Sequence, residues 1–256
     1  MKQHGSVFML FVRSSFYKIL LILLAMIVSE GVWFYGTIQG TLEKMETGEV
    51  TTMTPEVIFE EAHLMAFFGI ALILVTVVLA CVCRNTTGRL DYTLYRLNIS
   101  PKSIVLWQAA YSAICLLVVW FVQAILAFCL CRYYMKTADA GAVTHQSLFL
   151  AFYRSPFLHG ILPLQNIWCW IRNVLLFATL GGALAYDVYC SRRGKNRMWT
   201  WWLVLYFGLS RFQVDLSEHA NTYGAEIAVY VIVLVALGCI TLAGGVWNLD
   251  EAGNKK

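Results

Sequence analysis

Apolar residues arrive in this chain as long blocks, and that constrains its fold more than any other feature. A block of about 18 or more apolar residues reads as a membrane-spanning helix, whereas a helix on a soluble protein shows an apolar face repeating every three to four residues. The chain is 59% hydrophobic and 13% charged, against roughly 25% charged in ordinary soluble domains. A soluble globule of this length lacks the polar groups to cover so much apolar surface. Nine Trp and thirteen Tyr fit the same class, because both favour the boundary between hydrocarbon and water. The expected fold is therefore an all-α integral membrane protein.

Blocks and their flanks place six spans, at about 19–38, 63–83, 104–131, 166–189, 199–216 and 223–247, in a single transmembrane domain over 1–256. The stretch 1–18 carries Lys2, Arg13 and Lys18 among apolar residues. It is too polar to span and reads as a short interfacial helix with its basic groups among the lipid headgroups. No small-x-small cleavage site follows the first apolar block, so it reads as a span rather than a signal peptide. Ser100-Pro101 marks the start of the third span, since Ser caps free amides and Pro fits the first helical turn. The segment 147–164 is largely apolar but is interrupted by Arg154, Pro156, His159, Gly160 and Pro163. It reads as interfacial or partly re-entrant, because irregular backbone at membrane depth must be shielded by protein or water.

Basic residues orient the spans. Counted over alternate connectors, 13 Lys and Arg fall on one side and 5 on the other, with Arg172 inside a span. The richer side is the cytoplasmic one, and an even number of spans then places both termini there. The loop 39–62, with six Glu against one Lys, falls outside and reads as a solvated acidic surface that also attracts cationic amphipathic molecules.

Motifs for catalysis are missing. The sequence contains no H-E-x-x-H, no G-x-S-x-G, no phosphate-binding loop and no Cys/His set at metal spacing, so neither an enzyme, a metal site nor a cofactor is expected. Glu60, Glu61 and His63 have the residue types of an intramembrane metalloprotease without its spacing. Cys81, Cys115, Cys129, Cys169 and Cys239 lie inside apolar runs, where Cys acts as a small hydrophobe.

The connector between the second and third spans is more informative. Leu90, Leu94 and Leu97 recur at helical spacing and form one apolar face, with Asp91, Tyr92, Tyr95 and Arg96 around it. This is a short amphipathic helix at the cytoplasmic surface. Together with Gly88, Ile99, Ser100 and Lys102, the stretch resembles the cytoplasmic connector of type-2 ABC-transporter permeases. That resemblance implies six spans with cytoplasmic termini, an interfacial helix before the first span, and a coupling helix docking on a separate ATP-binding cassette subunit. It further implies a second permease copy or a paralogue completing the pathway in a bacterial-type cell membrane, with ATP hydrolysed only by the partner. On this reading Leu90, Leu94 and Leu97 anchor the coupling helix, while Asp91, Tyr92, Tyr95 and Arg96 face the ATPase. The family places re-entrant segments between the fifth and sixth spans; here the broken segment precedes the fourth.

Two charges inside spans are functional candidates by position alone. Glu30 lies about twelve residues, roughly 18 Å, into the first span, and Arg172 lies roughly 9 Å into the fourth from the other side. At these depths the two are able to pair, either to fix helix packing or to line a substrate path. Gly181-Gly182 and Gly244-Gly245 permit close helix approach. The expected function is the permease subunit of an ABC exporter for a hydrophobic or amphipathic substrate such as a peptide, antibiotic or lipid, in contact with membrane lipid and with no nucleic-acid partner. The alternatives are a membrane-embedded binding or signalling module and an intramembrane enzyme.

Overall fold

A computed structural model of the chain describes residues 2–47, 55–84, 100–137, 150, 152, 154–163, 167–192, 202, 204–206, 229, 232–236 and 238–239. Every regular element among them is helical: α1 (Lys2–Glu46), α2 (Pro55–Glu61), α3 (Leu64–Arg84), α4 (Pro101–Thr137), α5 (Pro156–Ile161) and α6 (Ile167–Arg192). Four stretches, Gly5–Lys44, Leu64–Cys81, Lys102–Thr137 and Ile167–Ser191, are long and apolar enough to cross a membrane. They fall where the first four spans are expected. The expected fifth and sixth spans lie largely outside the described residues, as do the connector helix at 88–99 and the C-terminal tail.

The N-terminal segment departs from expectation. There is no separate interfacial helix, because α1 runs unbroken through 45 residues, about 68 Å at the α-helical rise. Two causes act together. Ser14 and Ser15 donate their hydroxyls to the Phe11 carbonyl at 2.9 and 2.8 Å, so these polar groups find an acceptor within the helix itself. The face carrying Phe8 and Phe11 also packs on α4, where Phe8 meets Trp107 and Tyr111 edge-on and Phe11 stacks on Tyr111. Ser15 and Tyr111 share a buried hydroxyl–hydroxyl hydrogen bond. The seam continues through buried Ile19, Met26, Glu30, Phe34 and Ile38, while Leu20, Leu21, Leu24 and Val28 face outward as a lipid-facing surface does.

The loop expected at 39–62 is partly helical as well. Its end folds as α2, which Pro55 opens and whose Ile58 and Phe59 are buried. Phe59 lies 5.2 Å from Phe34 between ring centroids. His63 separates α2 from α3 with φ of 47°, a left-handed backbone that a bulky residue adopts at a cost of about 1–2 kcal/mol. That one residue turns the chain so that α3 returns along α1, with Trp33 against Phe67. Pro101 opens α4 as expected, and the Ser100 carbonyl accepts from the Ser103 amide at 3.0 Å.

Helices α4 and α6 pack most closely. A Cβ on Gly181 would lie 2.6 Å from the Ala113 amide nitrogen, so only glycine allows the two backbones to meet there. Below this contact Val105 and Ala109 cluster with Ala185, Tyr186, Tyr189 and Cys190. The start of α4 therefore lies beside the end of α6 and, through Phe8 and Trp107, beside the start of α1. Part of the expected sixth span, residues 232–236, is helical, and Gly238 approaches Thr179 of α6.

Candidate functional site

Midway along α4 the apolar packing gives way to a polar layer. Trp120 and Gln123 stand one turn apart near the centre of α4 and project to different neighbours. Gln123 reaches α1, where its Nε2 donates to Glu30 Oε2 at 2.9 Å. Both residues have no exposed surface. Trp120 reaches the short α5 and donates from Nε1 to the Ile161 carbonyl at 3.2 Å.

That second contact is part of a clamp. Trp170, in the first turn of α6, donates from Nε1 to the Pro163 carbonyl at 2.8 Å. Asn173, less than a turn further on, donates from Nδ2 to the Gly160 carbonyl at 2.9 Å. Trp120 sits edge-on to Trp170, with centroids 5.4 Å apart, and tilted against Phe177. Three side chains thus satisfy three backbone acceptors, the Gly160, Ile161 and Pro163 carbonyls, of a segment too short to satisfy its own. On the α3 side Phe157 meets Phe68. Ser155, Phe157, Leu158, His159, Gly160, Ile161 and Pro163 are all buried. The broken stretch within 147–164 is shielded by protein in the way irregular backbone inside a membrane requires.

Arg172 completes the layer. Only 5% exposed, it donates from Nε and Nη2 to Asn173 Oδ1 at 3.2 and 3.0 Å. Asn173 thereby links the guanidinium to the Gly160 carbonyl. Burial, and secondarily the nearby Arg172 charge, hold His159 below the ordinary histidine pKa, in its neutral form.

The sequence expectation that Glu30 and Arg172 pair is corrected here. Both are buried at similar levels, but Glu30 is engaged by Gln123 and Arg172 by Asn173. Glu30 sits on the seam that α1 presents to α4, while Arg172 sits on α6 against the clamped segment. A neutral amide therefore stands beside each charge. Gln123, Asn173, Trp120 and Trp170 escape a reading that ranks only formal charges. The signal that finds them is an uncharged amide or indole inside an apolar run, since a polar group in hydrocarbon needs a partner. The candidate coupling residues Leu90, Asp91, Tyr92, Leu94, Tyr95, Arg96 and Leu97 lie outside the described residues. Among the described residues no group of three or more His, Cys, Asp and Glu is placed to hold a metal ion. No family model, curated protein or solved structure matches the chain.

Proposed function

We propose that the chain is the permease subunit of an ABC exporter that moves a hydrophobic or amphipathic substrate across a bacterial-type cell membrane with ATP hydrolysed by a separate subunit. The observation that carries this reading is the connector 88–107. Its Leu90, Leu94 and Leu97 at helical spacing, the Tyr92, Tyr95 and Arg96 interleaved with them, and its Ser-Pro entry into the next span resemble a coupling helix. The bundle geometry supports it. The start of α1, the start of α4 and the end of α6 share one end, so the helix ends that adjoin the Lys- and Arg-rich stretches of the sequence lie together, as docking of an ATPase there would need. Four apolar helices with a shielded broken segment between two of them suit a pathway that a second copy or a paralogue completes.

The test is purification of the full chain from its native membrane, followed by measurement of ATPase binding and stimulated hydrolysis. A bound ATP-binding cassette subunit is expected. Replacing Tyr92, Tyr95 and Arg96 together with Ala should abolish that binding without loss of the folded membrane protein, since aromatic and Arg side chains dominate protein interfaces. Failure of any ATPase to accompany the native chain overturns the proposal and leaves a binding or signalling module.

A further inference from the structure

Glu30 and Gln123 form a half-completed pair. Gln123 Nε2 donates to Glu30 Oε2 at 2.9 Å, yet Glu30 Oε1 and Gln123 Oε1, both buried, accept from no donor. Each of these oxygens is an acceptor when the carboxyl is ionised. Leaving two acceptors unpaired in a low-dielectric interior is costly, and burying an ionised carboxylate is costlier still. A carboxyl and a carboxamide joined edge to edge have one arrangement that satisfies all four polar atoms. In it the amide N–H donates to one carboxyl oxygen, and a proton on the other carboxyl oxygen donates to the amide carbonyl. The described pair holds the first of these bonds, and its two unpaired oxygens, one on each partner, are the atoms that the second would join.

We propose that Glu30 and Gln123 constitute an intramembrane proton-binding site, in which a proton from the aqueous phase adds to Glu30 Oε1, neutralises the carboxylate, and is donated to Gln123 Oε1. No bond other than the new O–H forms and none breaks. The surroundings favour this occupant over a counter-charge. Helix α1 packs on α2, α3 and α4. From α3, the titratable or charged residues are Cys81, Cys83 and Arg84, all in its last turn, whereas Phe68, Leu72 and Val75 of its first three turns are buried in the core. From α4, Cys115 lies about two turns and Tyr111 about three turns to one side of Gln123, with Lys102 further off, and Cys129, Cys131, Arg132, Tyr133, Tyr134 and Lys136 lie beyond it on the other. From α2, Glu60 and Glu61 are exposed at the end of the bundle. Arg172, the one buried Lys or Arg among the described residues, is bonded to Asn173. The proton is then the fastener between α1 and α4. Its loss would set a carboxylate oxygen toward the Gln123 carbonyl oxygen and repel the two helices at their mid-depth contact. This inference rests on the pair alone and stands independently of the permease reading.

Infrared spectroscopy of the full chain in lipid bilayers at pH 7 tests it. A protonated carboxyl has a carbonyl stretch resolved from the amide bands, and the native protein should show one such band that disappears in Glu30→Gln. Because Gln is a neutral isostere of the acid and can pair with Gln123, that variant should keep the native thermal midpoint. In Gln123→Leu the band should persist and move to higher frequency, as for a carboxyl that has lost its hydrogen-bond partner. Replacing choline chloride with sodium chloride should leave the native band in place. A difference spectrum between native and Glu30→Gln without a protonated-carboxyl band overturns the proposal, as does a Glu30→Gln chain that fails to fold. A band abolished by sodium also overturns it, because the unpaired oxygens would then hold a cation, and a band unmoved in Gln123→Leu removes Gln123 from the site.

Discussion

Gly181 and Gly36 show how differently one residue type acts along this bundle. A Cβ on Gly181 meets the Ala113 backbone at 2.6 Å, whereas a Cβ on Gly36 meets nothing within 4 Å. Gly181→Ala should force α4 from α6 and lower unfolding stability by about 1–3 kcal/mol, the range seen for overpacked cores. Gly36→Ala should stabilise by about 0.5–1 kcal/mol, since Ala is the better helix former and the space is open. Denaturation in detergent or bilayer discriminates them, and equal effects would show that the close approach is not maintained. His159 offers a second residue-scale outcome. Its folded pKa lies below the ordinary histidine value, so the unfolded state takes up the proton first on acidification. The stabilising effect of neutral His159 is whole above about pH 6.5 and is lost as pH falls below it. The thermal midpoint should therefore drop between pH 7 and pH 5, and His159→Gln should flatten the drop. A variant profile superimposing on the native one would assign the acid sensitivity to another group.

At the scale of elements, α5 exists because its neighbours complete it. Six residues cannot close enough backbone hydrogen bonds to be stable alone, and the Gly160, Ile161 and Pro163 carbonyls are each met by a side chain of α4 or α6. Trp120→Phe keeps the ring packing and removes only the indole N–H. It should cost about 1–3 kcal/mol, the penalty for a buried carbonyl left unpaired. Hydrogen exchange should accelerate at residues 156–163 while remaining native across α1. Unchanged protection would mean that the segment is held by packing alone. The sequence made this segment legible as broken and as needing a shield, because Pro156, Gly160 and Pro163 are visible as residues. It did not make the shield legible, because the partners are 7 to 41 residues away and only the fold brings them near. The continuity of α1 was hidden for a similar reason. Lys2, Arg13 and Lys18 mark the segment as polar, but whether it lies flat or stands upright depends on Phe8 and Phe11 finding Trp107 and Tyr111 on a helix about 100 residues later.

For the whole molecule, block length carried most of what could be read, since apolar runs of spanning length leave a chain few choices. The pairing of Glu30 could not be read that way, as depth along a helix says nothing of azimuth, and Gln123 rather than Arg172 occupies the facing position. Sidedness rests on a separate physical bias, the excess of Lys and Arg on one set of connectors. The fold makes that bias a sharper wager. The parallel run of α1 and α4 and the opposite run of α6 require the connectors near Arg89 and Lys195 to leave from the same end as the N-terminus, and Glu46 and Lys136 to lie at the other. All four positions are thus tied, and a single inverted one cannot be absorbed by moving a span boundary. Cysteines introduced one at a time at Glu46 and Lys136 should react with a membrane-impermeant maleimide added to intact cells. Cysteines at Arg89 and Lys195 should react only after permeabilisation. Complete inversion would keep the bundle and reverse the orientation, placing any ATPase contact at the opposite end. Labelling of Glu46 and Lys136 from different sides would contradict the helix directions themselves.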